Sequence, residues 1–134
     1  MQKLIDQLIR HEGLRLKPYK CSAGKITIGV GRNIEDNGIT EPEAIILLMN
    51  DIERCKWEIE TAFPWITRLA LARYEVLVNM CFNMGIARLS SFKKMLAALE
   101  SGDYETAAVE GLDSRWANQV GNRAIELMEI MKDG

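Results

Sequence analysis

Three side chains with acid, nucleophile and hydrogen-bonding chemistry stand in one short stretch near the start of this chain. Glu12, Cys21 and Thr27 offer a carboxylate, a thiol and a hydroxyl, with eight residues between the first two and five between the last two. A carboxyl that keeps its proton near neutral pH can give it to a leaving group. A hydroxyl can hold a water; a thiol can orient that water or, as thiolate, attack a carbon itself. A free thiol has a pKa of about 8.5, so the thiolate is scarce at neutral pH unless its surroundings favour it. Lys20 and Lys25 lie close enough in sequence to do so. Each type also has an ordinary reading. Glu is usually a solvated charge, Thr a good strand former, and an isolated Cys inert. His11, the only histidine, adjoins Glu12, but helical neighbours point in different directions, so it reads as a surface or packing residue.

The elements that must position these groups are legible from periodicity. Leu4, Ile5, Leu8 and Ile9 form a helical stripe, which predicts a short amphipathic helix near 3–11, ended by Gly13 with Glu12 at its terminus. Ile26, Ile28 and Val30 then alternate with Thr27, Gly29 and Gly31, so a strand is expected with its apolar side chains on one face. Thr27 falls on the other face among glycines, with room for a ligand. Ser22-Ala23-Gly24-Lys25 reads as a turn that brings Cys21 and Thr27 close together. Residues 32–38 read as a plain turn.

Beyond them the pattern is helical. Thr40 and Glu43 form a capping box for a helix over about 41–62, stopped by Phe63-Pro64. Residues 66–84 are apolar on nearly every side and predict the central buried helix of a bundle. Further helices are expected from Ser91 to Gly102, after Asp103, from Ser114, and after Asn122, the last with Ala124, Ile125 and Met128 inward. The fold class is therefore α+β: a small N-terminal lobe with a short antiparallel sheet, a mostly helical C-terminal lobe, and a long connecting helix. A cleft between lobes is the default place for a site.

Composition narrows the function. A length of 134 residues fits one domain, and 48% apolar residues suffice for a core. A net charge of −2 gives no general attraction to nucleic acid or an acidic membrane. The three cysteines match no metal-site spacing, and Cys55 and Cys81 read as buried small hydrophobes, so neither metal nor cofactor is expected. The longest apolar run, Ala44 to Met49, is far short of a membrane span, and residues 1–10 lack a signal-peptide core.

Three blocks carry a resemblance to the phage-type lysozymes. They are Glu12 to Lys17 with Tyr19, Thr27-Ile28-Gly29 and Gly31; Asn79-Met80 with Phe82 and Met84-Gly85; and Ala107 to Val109 with Ser114-Arg115-Trp116, Asn118-Gln119 and Asn122-Arg123-Ala124. The sequence departs from the T-even pattern twice: the 32–39 segment is shorter, and Cys21 stands where Asp is usual, although Cys is known there in related enzymes. The resemblance implies a single lysozyme domain with an N-terminal lobe of about 12–55, a C-terminal lobe of about 63–134, and the first helix, 1–11, packed on the latter. It implies a muramidase that cuts the bond between N-acetylmuramic acid and N-acetylglucosamine in peptidoglycan. Glu12 is then the general acid, Cys21 and Thr27 position the attacking water, Arg123 supports Glu12, and Phe82 and Asn83 contact sugar. Direct attack by Cys21, with a covalent intermediate, is the alternative. The same resemblance implies a monomeric endolysin, held in the host cytoplasm until a holin opens the way to the wall. Two competing functions stay open: a lytic transglycosylase, and a catalytically inactive wall-binding module.

Overall fold

A computed structural model describes residues 1–134. The architecture is α+β, dominated by helices, with one three-stranded antiparallel sheet near the N-terminus. The chain divides into two compact units, Met1–Leu47 and Leu48–Gly134.

The first unit begins with α1 (Gln2–Glu12), which ends at Gly13 as its sequence predicts. Its apolar stripe, Leu4, Ile5, Leu8 and Ile9, is exposed. Strands β1 (Arg15–Lys20), β2 (Ile26–Gly29) and β3 (Arg32–Asn33) follow in sheet order β1-β2-β3. Pro18 cannot donate to a ladder, and β1 accommodates it as an edge strand with a register irregularity between Arg15 and Tyr19. Two expectations for this region need correction. Residues 32–38 do not merely turn: they form β3 and a one-turn helix, α2 (Ile34–Asn37), whose N-terminus is capped by the Asn33 side chain on the Asp36 amide at 3.0 Å. Thr27 also does not stand open as expected: it is only 3% exposed, whereas Ile26 and Val30 are 40% and 38% exposed.

Helix α3 (Glu41–Ala62) starts in the first unit and continues into the second. Its capping box is formed: the Thr40 amide donates to Glu43 Oε1 at 2.8 Å, and the Glu43 amide to Thr40 Oγ1 at 3.3 Å. Arg32 adds a two-pronged bond to the same carboxylate at 3.0 and 2.8 Å.

The second unit is helical. A 3-10 turn (Pro64–Arg68) precedes α4 (Leu71–Met84), so the stretch expected as one helix from 66 is two elements. Then come α5 (Ile86–Ser90), not foreseen as a helix, α6 (Lys93–Ser101), α7 (Tyr104–Leu112), α8 (Arg115–Val120) and α9 (Asn122–Asp133). Asp103 and Ser114 cap α7 and α8 as expected, bonding the amides of Thr106 and Ala117. Asn122 does not cap α9; it is the first helical residue, and Gly121 takes the cap position. That start turns Ile125 outward, half exposed, and leaves Ala124, Leu127, Met128 and Met131 in the core. The core is built around α4, which contributes Val76, Leu77, Val78, Met80 and Cys81. Trp116, 1% exposed, is its largest member, set edge-on to Phe92 with ring centroids 6.1 Å apart.

The Arg32 guanidinium and the Thr40 amide and hydroxyl lower the Glu43 pKa to about 2. The ionised form is thus favoured in the fold. Its contribution is present above the ordinary Glu range near about 4.3 and is lost as pH falls toward about 2. Urea unfolding followed across this window should show an acid-dependent loss in the parent protein that Glu43→Gln lacks. Identical pH profiles would contradict this assignment.

Candidate active site

The β1–β2 turn dictates the geometry around Cys21. The Gly24 amide donates to the Cys21 carbonyl at 2.8 Å, and the Cys21 amide to the Lys25 carbonyl at 2.9 Å. This is a three-residue hairpin loop closed by a residue at positive φ, and Gly24, at φ 78°, supplies it without steric cost. Tyr19 opposes Thr27 and Lys20 opposes Ile26 across the ladder, so the chain folds Cys21 back toward Thr27.

Inside this turn the sulfur is surrounded by donors. The backbone of Lys25, the backbone of Ala23 and the Thr27 side chain hold the Cys21 pKa below that of an ordinary thiol. The expected lysine effect is not the cause. The Lys25 ammonium faces away from this role, paired with Asp36 at 3.3 Å and Glu35 at 3.6 Å. Backbone N–H groups do the work because the turn points them at sulfur, which favours the anion. The Thr27 hydroxyl donates to the Lys25 carbonyl at 2.9 Å. Its one proton lies between the Lys25 carbonyl and the Cys21 sulfur, and its two lone pairs leave the oxygen able to accept from a water.

Glu12, at the end of α1, lies against Gly31. A Cβ at position 31 would come within 3.0 Å of Glu12 Oε2 and 3.1 Å of its Cδ, and Gly31 has φ 68°. Glycine is needed there twice over, for its backbone and for the space it leaves to the carboxylate. Glu12, Cys21, Thr27 and Gly31 all belong to the first unit.

The remaining candidates lie in the second unit. Arg123 donates from Nε and a terminal nitrogen to Asn79 Oδ1 at 3.1 and 2.7 Å. With Asn79, Phe82 and Tyr74 it lines a cavity of 520 Å³. Phe82, 45% exposed, presents its ring to that cavity. Asn83 accepts from the indole Nε1 of buried Trp116 at 2.7 Å, which satisfies the one polar atom of that side chain. Asn79 belongs to the middle block of the resemblance, and its bond to Arg123 gives it a role that periodicity on α4 could not reveal.

Cys21 is half-buried, while Cys55 and Cys81 are buried, and desolvation pushes the Cys81 pKa up. Alkylation of the folded protein should therefore be confined to Cys21, with a pH midpoint below about 8.5. Thr27→Val should move that midpoint upward. A midpoint at or above the ordinary thiol value would contradict the turn's effect on sulfur.

Comparison with known proteins identifies the family. The phage lysozyme family profile matches residues 9–129. The chain is 33% identical over 118 residues to the endolysin of Acyrthosiphon pisum secondary endosymbiont phage 1, covering 85% of this chain and 78% of that protein. It is 32% identical over 114 residues to the endolysin of Salmonella phage P22, covering 78% and 75% respectively. It is also 31% identical over 159 aligned positions to the pre-baseplate central spike protein Gp5 of Enterobacteria phage T4; that alignment takes in 98% of this chain but spans only 28% of the spike protein. The chain belongs to the phage lysozyme family.

Proposed function

We propose that this chain is an endolysin-type muramidase that hydrolyses the bond between N-acetylmuramic acid and N-acetylglucosamine in bacterial peptidoglycan. The observation that carries the reading is the hairpin turn that sets a donor-surrounded thiol beside a buried hydroxyl, in the same unit as a carboxylate lodged against Gly31. The endolysin names of relatives matched over most of their length support the same reading.

In this mechanism Glu12 gives its proton to the glycosidic oxygen as the bond from the anomeric carbon breaks. A water held by the Thr27 oxygen attacks the anomeric carbon from the face opposite the leaving group. One water proton passes to the Cys21 thiolate as the new carbon–oxygen bond forms. Proton exchange with solvent then resets both groups. Arg123 supports Glu12, and Phe82 and Asn83 contact the sugar chain. The protein works as a monomer and, as an endolysin, passes from the host cytoplasm to the wall through a holin lesion. No helix is long and apolar enough to cross a membrane.

The spike-protein match favours a second setting for the same chemistry, as a lysozyme module of a larger virion protein.

Glu12→Gln should lower the release of reducing ends from purified peptidoglycan by about 10²–10⁴-fold, the usual yield of a general acid, with the circular-dichroism melt retained. Unchanged turnover in a folded Glu12→Gln protein would overturn the assignment, and wall binding without release by the parent would identify an inactive module. Cys21 as proton acceptor makes activity fall as pH drops through its thiol pKa. Cys21→Asp should therefore carry that limb of the pH–rate profile down by several units, toward the Asp value of about 3.9. An unmoved limb would remove Cys21 from the proton path.

A further inference from the structure

We infer that Cys55, Glu58 and Cys81 form a binding site for a thiophilic cation of the zinc or cadmium class, independent of the hairpin that bears Cys21. Cys55 and Glu58 are three residues apart on α3 and so share one helix face. Cys81 approaches them from α4. The two sulfurs and a Glu58 carboxylate oxygen all lie within 4.8 Å of one another. Metal–ligand bonds of about 2.3 Å to sulfur and about 2.1 Å to oxygen, arranged tetrahedrally, need separations of roughly 3.5–3.8 Å, so the cluster closes on an ion with small movements.

The chemistry of the donors selects the cation. Two thiolates and one carboxylate suit zinc, cadmium or copper(I) and disfavour magnesium or calcium, which require oxygen ligands. Both cysteines are 2% exposed, so no competing solvent reaches the sulfurs. Glu58 is the outer member, its side chain 27% exposed, and gives the ion a route in and a water a fourth position. Arg54 lies 3.6 Å from Glu58 Oε1, a contact that leaves the two-oxygen carboxylate with capacity for a metal.

Because thiolates are the ligands, uptake of a divalent ion expels thiol protons, and affinity rises with pH. The bound ion would tie α3 to α4 across the core and raise the melting temperature, because it binds only the folded form.

The test uses the full chain, reduced with a phosphine so that no small thiol competes, and titrated with cadmium. One equivalent should bind with a thiolate-to-cadmium absorption band, release two protons, and raise the melting temperature. The band should persist in Cys21→Ser and disappear in Cys81→Ala. Glu58→Gln, at a partly exposed position that leaves the core intact, should weaken binding by at least the roughly 10–100-fold that even an outer-shell change costs. The inference is overturned if no band forms, if the band vanishes with Cys21→Ser, or if Glu58→Gln binds as tightly as the parent. Cys55 and Cys81 would then be core packing alone. None of these outcomes depends on lytic activity.

Discussion

The two backbone hydrogen bonds that close the turn between Cys21 and Lys25 are the constraint on which the candidate site rests. They decide which groups surround the sulfur. A thiol in a freely moving loop would titrate like cysteine in water, and Thr27 would be one strand residue among several. With the turn closed, amides of the loop face sulfur, and a buried hydroxyl stands beside it within hydrogen-bonding reach of both the sulfur and the Lys25 carbonyl. An anion is thereby favoured without a nearby cation. This matters chemically, because a lysine paired to the thiolate would also hold it back from accepting a proton.

The second unit supplies rigidity by a different route. Its core uses one large aromatic, Trp116, several methionines and small alanines, and no buried side-chain polar atom lacks a partner. The indole nitrogen is satisfied by Asn83, a residue at the exposed end of α4. The Asn79–Arg123 bond similarly links α4 to α9. Surface polar groups on α4 are thus tied to the packing of neighbouring helices. A substitution at Asn83 that removed its oxygen would leave a buried N–H without an acceptor, a cost of about 1–3 kcal/mol.

Local signals in the sequence identified elements whose cause is local. Thr40 with Glu43, Asp103 and Ser114 cap the helices they announce, because a side-chain oxygen bonding an amide two or three residues on needs no tertiary partner. The long 41–62 helix and the buried character of α4 were legible from apolar spacing for the same reason. Features decided by distant or competing partners were not. Glu35 and Asp36 capture Lys25, which only the presence of α2 makes possible. Gly121 rather than Asn122 sets the start of α9 and rotates Ile125 out of the core. Alternation along β2 identified a strand but not which of its faces is covered, so the burial of Thr27 was not legible. The three candidate residues, Glu12, Cys21 and Thr27, stood out by type and spacing, while the source of the thiol's tuning was visible only once the turn was built.

In the proposed mechanism, Glu12 as acid and a water governed by Cys21 and Thr27 together require inversion at the anomeric carbon. Proton NMR of the first sugars released from purified peptidoglycan, recorded before mutarotation, reads this directly. The newly formed reducing end is expected in the configuration opposite to that of the bond cleaved. Retention would mean that Cys21 attacks carbon itself, and anhydro ends would mean that no water attacks; either result contradicts the water-directing role of the hairpin.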